Sequence, residues 1–435
     1  MKNRLSIFVL MLITITASLC ASGKAELEQG QGTEKAQVEL WTFVEAHKGF
    51  YEQMAEIWNE ENPDRQISLD ITVLPNADMH NKLIMALQSD FGAPDICDVH
   101  VNQFPNLLKG VPQIEDLSDV IEPYEGDVVT SRLDLYSKDG IRYGVPFHVG
   151  ASVMYYNTEI LDAAGVDYTQ IATWDDFIAA GKLVKEKTGK YMNTAEAIRV
   201  NMLSAYLGQQ GGDFVDADGT PTLDTEKMYK AIAIQKRMLD EGISMVSPGG
   251  KPDTEECYGW IDRGEVAAFA FPLWFMSRFV DYMPSVANKI AIAPIPAFEV
   301  GGDRSAGVGG TGTIVTKSAK HKELAKEWLA WAKLSEEGGI KVWEILGFDP
   351  VNTRVWENKH VINNTDNKYL KYFTTNPFDV LLQIKDEINL IRSVAATPAI
   401  VSVFNNHVLL DIYESGKDIR QTLAAAQQEV ENTLH

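Results

Sequence analysis

Aromatic side chains set beside polar ones at the ends of predicted strands are the pattern in this sequence most able to do chemistry. Trp41 falls in the first such strand, Val38-Glu39-Leu40-Trp41-Thr42-Phe43, with Glu45 and His47 just beyond it. Trp274 ends the apolar run Phe271-Pro272-Leu273-Trp274-Phe275. Sugars are held by this combination: an aromatic face covers the C–H side of the ring while planar polar groups fork the hydroxyls. Each neutral hydrogen bond nets only about 0.5–1.5 kcal/mol. Several of them with one stacked ring reach micromolar affinity, about −8 kcal/mol. Composition alone reads any one of these tryptophans as core more often than as a platform.

Other chemistries have weaker signals. Gly307-Val308-Gly309-Gly310-Thr311-Gly312 matches G-x-G-x-x-G, but a loop precedes it and the strand-like Thr313-Ile314-Val315-Thr316 follows. No helix end would then face a pyrophosphate. The glycines read better as the approach to a strand where a ligand or neighbouring backbone comes close. Asp98 and His100, two apart, share one strand face, yet two ligands do not make a metal site. Catalytic signatures such as Gly-x-Ser-x-Gly and His-Glu-x-x-His are absent. The acidic pairs Asp175/Asp176 and Glu255/Glu256 are neighbours in sequence, so on a helix they do not face each other. No cofactor and no metal are expected.

The elements that must position these residues follow from periodicity. After the first strand, Phe50, Met54, Ile57 and Trp58 lie on one helical face, and Asn62-Pro63 ends that helix. Ile67, Leu69, Ile71 and Val73 alternate as a strand, a helix around Leu83 and Leu87 follows, and Ile96–Val101 is a third strand. This alternation predicts a parallel sheet in an α/β lobe. Tyr143-Gly144-Val145-Pro146-Phe147 introduces a further strand, Val153–Tyr156, where a crossing between lobes is expected. Thr173 opens a helix as the cap, with Asp176 three residues on. Helices are expected near Lys227–Asp240 and Glu323–Lys333, the latter with Leu324, Trp328 and Trp331 facing a core.

At 435 residues the chain exceeds what a single core usually serves, so two lobes are expected. A net charge of −22 argues against nucleic acid and against gripping anionic lipid. Lys2 and Arg4 precede the apolar stretch Leu5–Ile15, too short to span a bilayer but suited to a secretory signal within residues 1–23. Cys20 is then either a lipidation site or a residue lost by cleavage near Ala21-Ser22-Gly23. Residues 21–36 read as a flexible tether. Membrane contact is expected only through such an anchor. Cys97 and Cys257 could pair in an oxidising compartment, although a chain of this length needs no staple and Cys97 also reads as a buried strand residue.

From Val38 onward the chain resembles the extracellular solute-binding proteins of bacterial ABC sugar importers, the maltose-binding-like group. The resemblance is carried by Leu40-Trp41-Thr42-Phe43, Pro94-Asp95-Ile96, Tyr143-Gly144-Val145-Pro146, Tyr155-Tyr156-Asn157, Thr173-Trp174-Asp175-Asp176 and Pro272-Leu273-Trp274. Within the group it is most similar to arabinose and arabino-oligosaccharide binders, through Arg132–Lys138, His148-Val149-Gly150, Gly302–Gly307, Ile345–Pro350 and Lys385–Asn389.

The resemblance implies a periplasmic-binding-protein-like α/β fold of two lobes, 37–147 plus about 312–353 and 148–311 plus about 354–435. A hinge would join them around a ligand cleft. It implies a non-enzymatic, monomeric protein whose partners are a sugar and the permease subunits of an importer. It places the ligand platform on Trp274 and polar contacts on Glu45, His47, Asp98, His100, Asn102, His148 and Glu196. Gly309, Gly310 and Thr311 would line the floor, and Asn405 would mark a far subsite. Where Val99 stands the maltose binders have a tryptophan, so their site is not carried over intact. For His47, His148 and Glu196 a purely structural hydrogen bond is the alternative. A binder of another mono- or oligosaccharide and a secreted glycoside hydrolase are the competing functions; the latter needs two carboxylates across a scissile bond.

Overall fold

The computed structural model describes residues 35–434. The predicted leader, Cys20 and residues 21–34 of the predicted tether lie outside the described residues.

The alternating pattern of the first strand is realised as β1 (Ala36–Thr42), which starts two residues earlier than Val38. The helix α1 (Glu45–Glu61) buries Phe50, Met54 and Trp58 and stops at Asn62, whose backbone N–H still bonds the Trp58 carbonyl. β2 (Ile67–Val73), α2 (Asn76–Ser89) and β3 (Ile96–His100) follow. β1 lies between β2 and β3 and is parallel to both. Leu40 packs in one core with Phe50, Met54 and Trp58, while Trp41 packs in another with Met79, Leu83, Val99 and Ile314. The sheet is therefore covered on both faces, which is why alternation fades at the end of β1. Trp41 is core, with the Lys82 ammonium 3.9 Å from its ring centroid.

The sheet departs from the expected parallel form at its next strand. Thr311–Val315 runs antiparallel to β3, and Val145–Pro146 pairs antiparallel to it in turn. The reason is topological: the chain re-enters this lobe from the other one, so the returning strand points the opposite way. Its helix Lys322–Leu334 buries Trp328 completely, with Leu324 and Trp331 only partly covered.

The second lobe is built around the antiparallel sheet Ala268–Pro272, Ser152–Asn157 and Ile290–Ala293. The Thr173 cap forms as a complete capping box on the helix Trp174–Thr188. The helix expected near Lys227 spans Glu226–Asp240.

Three chain crossings join the lobes and bond to one another. Phe147 donates its backbone N–H to the Thr311 carbonyl, Val149 to Asp349, and Val308 to Gly150. Residues just past 353 still hold to the first lobe, since Arg354 pairs with Asp127 at 2.8 Å and Asn358 bonds Glu336. Cys97 and Cys257 are free, buried thiols, one in each lobe, so no disulfide joins them.

Candidate functional site

The ends of β1 and β3, with α1 and α2 behind them, build the wall of the first lobe. Asp98 has no exposed surface. Its carboxylate accepts from Thr42 Oγ1 at 2.6 Å, His47 Nδ1 at 2.8 Å, the Tyr51 hydroxyl at 2.6 Å and Thr313 Oγ1 at 2.6 Å. Thr313 reaches it because the antiparallel register sets the two residues opposite each other. Lys333 in turn donates to Thr313 Oγ1 and the Val145 carbonyl. Burial works to raise the Asp98 carboxyl, but the hydrogen bond from His47, with the Lys333 charge and the Thr313 hydroxyl, holds it down at about 2.

This network fixes the proton positions on two histidines. An ionised carboxylate can only accept, so His47 donates from Nδ1. Burial lowers the His47 pKa against the pull of Asp98, leaving a neutral ring with its lone pair on Nε2. His100 shows the opposite tautomer. Its Nδ1 accepts from the Asn102 backbone N–H at 3.2 Å. Burial, then His80 and Arg199, pushes its pKa down to about 3, so the proton sits on Nε2. His80 supports this corner by accepting the His100 backbone N–H at 2.9 Å. Its own pKa is lowered by burial, so Nδ1 donates to the Asn76 carbonyl at 2.7 Å. Phe43 lies between them, with ring centroids 6.5 Å from His47 and 6.2 Å from His100. One acceptor nitrogen and one donor nitrogen thus flank an aromatic ring, a set that suits hydroxyl groups.

The crossings form the floor. Phe348 packs against both His47 and His148, at 6.0 and 5.0 Å between centroids. Burial, and then the neighbouring Arg132 and Lys333 charges, keep His148 well below the usual histidine range. Gly309 and Gly310 adopt φ of 74° and 136°, conformations that disfavour side chains. A Cβ on Gly310 would stand 2.6 Å from Arg132 Nη2 and 2.7 Å from the Tyr136 hydroxyl. Thr311 is buried and registers opposite His100.

The second lobe presents Trp274, half-buried, its ring edge-on to Phe271 at 5.2 Å. A Cβ on Gly309 would be 3.3 Å from its Nε1, so the indole borders the floor. Arg278 lies 5.9 Å from the Trp274 ring and pairs with Asp253 at 3.2 Å. Its charge contributes to lowering the His47 pKa, so this second-lobe arginine lies near the first-lobe histidine. Glu196 is buried behind the surface, accepting from Asn201 Nδ2 at 3.1 Å and Met202 N–H at 2.9 Å. Burial raises its carboxyl to about 7.

Gly309 thus borders Trp274, Thr311 registers opposite His100, and Phe348 packs on both His47 and His148. His47 and His148 are buried, as Asp98 and Glu196 are, whereas His100 and Trp274 are partly exposed. Asn102 lines a narrow space between the lobes together with Asn201, Ser204 and Arg392. Glu45 is exposed in the first turn of α1. Asn405 is partly buried with an enclosed, unpartnered Oδ1, next to Phe404. Sequence reasoning missed Phe43, His80, Arg278 and Phe348. Phe43 had a usable signal, an aromatic residue closing the first strand; the others depend on tertiary register.

The chain matches the bacterial extracellular solute-binding protein family over residues 42–338. It belongs to that family. This solute-binding protein is 44% identical over 397 residues to the arabinooligosaccharide-binding protein of Halalkalibacterium halodurans, covering 91% of this chain and 89% of that one. It is 41% identical to the arabinooligosaccharide-binding protein of Bacillus subtilis, covering 97% of each. Among solved structures, the binding protein of Bifidobacterium animalis subsp. lactis in complex with β-1,6-galactobiose superposes with a TM-score of 0.76 at 20% identity. That match covers 92% of this chain and 97% of the other, and establishes the shared two-lobed fold. Its relatives are binding proteins of transporters and not enzymes. No helix among the described residues is long and apolar enough to cross a membrane.

Proposed function

We propose that this solute-binding protein captures arabinose-containing oligosaccharides and delivers them to the permease of an ABC importer. The observation that supports this most is the similarity to two arabinooligosaccharide-binding proteins over nine-tenths or more of the chain. In this reading Trp274 stacks on one sugar ring, and the His47 Nε2 lone pair and His100 Nε2–H divide neighbouring hydroxyls between acceptor and donor. His148 and the Gly309–Thr311 backbone border the same ring. Asn102 and Asn405 serve further units of the chain, with Glu45 at the rim. Asp98 and Glu196 act from behind, by holding His47 and Asn201 in place. Closure of the lobes about the three crossings follows if the closed state binds sugar better than the open one.

The protein works as an exported monomer. Mass spectrometry of the native N-terminus distinguishes an acylated Cys20, which would tether it to the membrane, from cleavage that leaves it free.

Calorimetry with arabinobiose, arabinotriose and a panel of hexose oligosaccharides tests the reading. Micromolar or tighter binding of the arabinose series is expected, with the ligand recovered intact. Trp274→Ala should weaken it at least tenfold, about 1.4 kcal/mol or more. Unchanged affinity in that variant would remove Trp274 from the site, and preference for a hexose series would overturn the assigned sugar.

A further inference from the structure

A second cavity, of about 260 Å³, lies at the hinge, bordered by the crossings Val149 and Gly307 and by none of the residues of the proposed sugar site. It is bounded by Ser131 and Arg132 of the first lobe, Val149 and Gly307 of the crossings, and Lys385 and Ile388 of the second lobe. Arg132 and Gly307 also line the narrow space between the lobes, about 30 Å³ in this structure. One side chain and one backbone segment therefore separate the two spaces.

The hinge cavity has an unusual charge state for so acidic a protein. Arg132 is 1% exposed, and its Nε has no hydrogen-bond partner. Its Nη2 donates to the Gly309 carbonyl. Asp349 and Tyr136 favour its charge from a distance, but among the described residues no carboxylate lies within ion-pair reach of it. Lys385, exposed at the mouth, also has no acidic partner there. Asp386 at the same mouth is the one opposing charge on the lining. A buried guanidinium without an ion-pair partner is costly. Val149, Ile388 and Trp356 supply an apolar surface beside the two cations.

We propose that the hinge cavity is a second ligand site, one that takes a short-chain carboxylate. Its head group bridges Arg132 of one lobe and Lys385 of the other while its alkyl tail lies on Val149 and Ile388. The lobes touch at the narrow space, where Ser393 Oγ donates to the Val101 carbonyl at 2.7 Å. Rotation about strands lying between two spaces narrows one as it widens the other. An occupant of the hinge cavity in this arrangement therefore favours the closed cleft. By linkage it tightens sugar binding, a consequence that rests on the proposed sugar function.

Butyrate is the probe, with sodium chloride at equal ionic strength as control and the full mature protein as sample. Without sugar, tens of millimolar butyrate should raise the melting temperature by about 2–4 °C. Chloride should not, and Lys385→Ala and Lys385→Glu should abolish the shift while leaving the affinity for arabinotriose without butyrate unchanged. With butyrate present, arabinotriose affinity should rise about threefold in the parent protein only. No shift, an equal shift with chloride, or a shift retained in both Lys385 variants would overturn the second site. A butyrate shift in a protein that binds no arabinose oligosaccharide would uphold the cavity and defeat the sugar assignment instead.

Discussion

His47, His100 and His148 are the histidines of the proposed sugar site, yet none behaves as a proton switch near neutrality. Burial is the largest influence on each and lowers its pKa from 6.5. The neutral forms, and with them the acceptor on His47 and the donor on His100, persist as pH falls through that value. Any change in sugar affinity measured by calorimetry between pH 8 and pH 6.5 should therefore follow the carboxyls that burial raises to about 7, Glu196 and Asp349, and not the histidines. Stability has a different pH dependence. The unfolded histidines take protons at about 6.5 that the folded ones refuse, so their contribution is present above that pH and shrinks below it. Asp98 adds a second loss at lower pH, as its carboxylate is protonated on the way down to about 2. An affinity change that tracks histidine protonation would contradict the assigned proton positions. At this scale residue type was legible only in part: Trp274 borders the Gly309 backbone, but Trp41 is core. Which polar residues face the cleft was not legible. Asp98 and His100 share a strand face, but the Thr313 register opposite closes over the first and leaves the second at the edge.

Elements with a strong local period could be read directly. The α1 face, the β2 alternation and the Thr173 capping box each rest on spacing within a few residues, and each formed as spaced. The crossings could not be read this way, because the antiparallel direction of Thr311–Val315 depends on contacts more than two hundred residues apart. The glycines there are the sensitive points. Gly310→Ala forces a Cβ into a positive-φ position against Arg132 and Tyr136. It should lower stability by roughly 2–3 kcal/mol by chemical denaturation, combining backbone strain with overpacking. Gly309→Ala meets only the Trp274 edge and should disturb the sugar platform more than the fold. Equal, small effects from both would show that the floor yields more readily than its geometry suggests.

At the scale of the whole molecule, two lobes were implied by length and by family resemblance, and each has its own sheet. The two thiols give a simple check. Cys97 and Cys257 are enclosed, and burial raises both, Cys257 to about 12. Neither should react with a thiol reagent in the native protein, both should react in denaturant, and a reductant should leave the melting temperature unchanged. Rapid modification under native conditions would mean that one lobe opens far more often than its packing implies.

The returning strand also governs the order in which the polypeptide can acquire structure. β3 ends at His100, but the strand that covers Asp98 begins at Thr311. Until that late segment arrives, the amino-terminal half carries an open sheet edge and an unfinished carboxylate pocket. Such long-range pairing slows folding. A polypeptide that remains unfinished until most of it has been synthesised stays threadable for longer, which suits passage through a membrane pore before the lobes assemble.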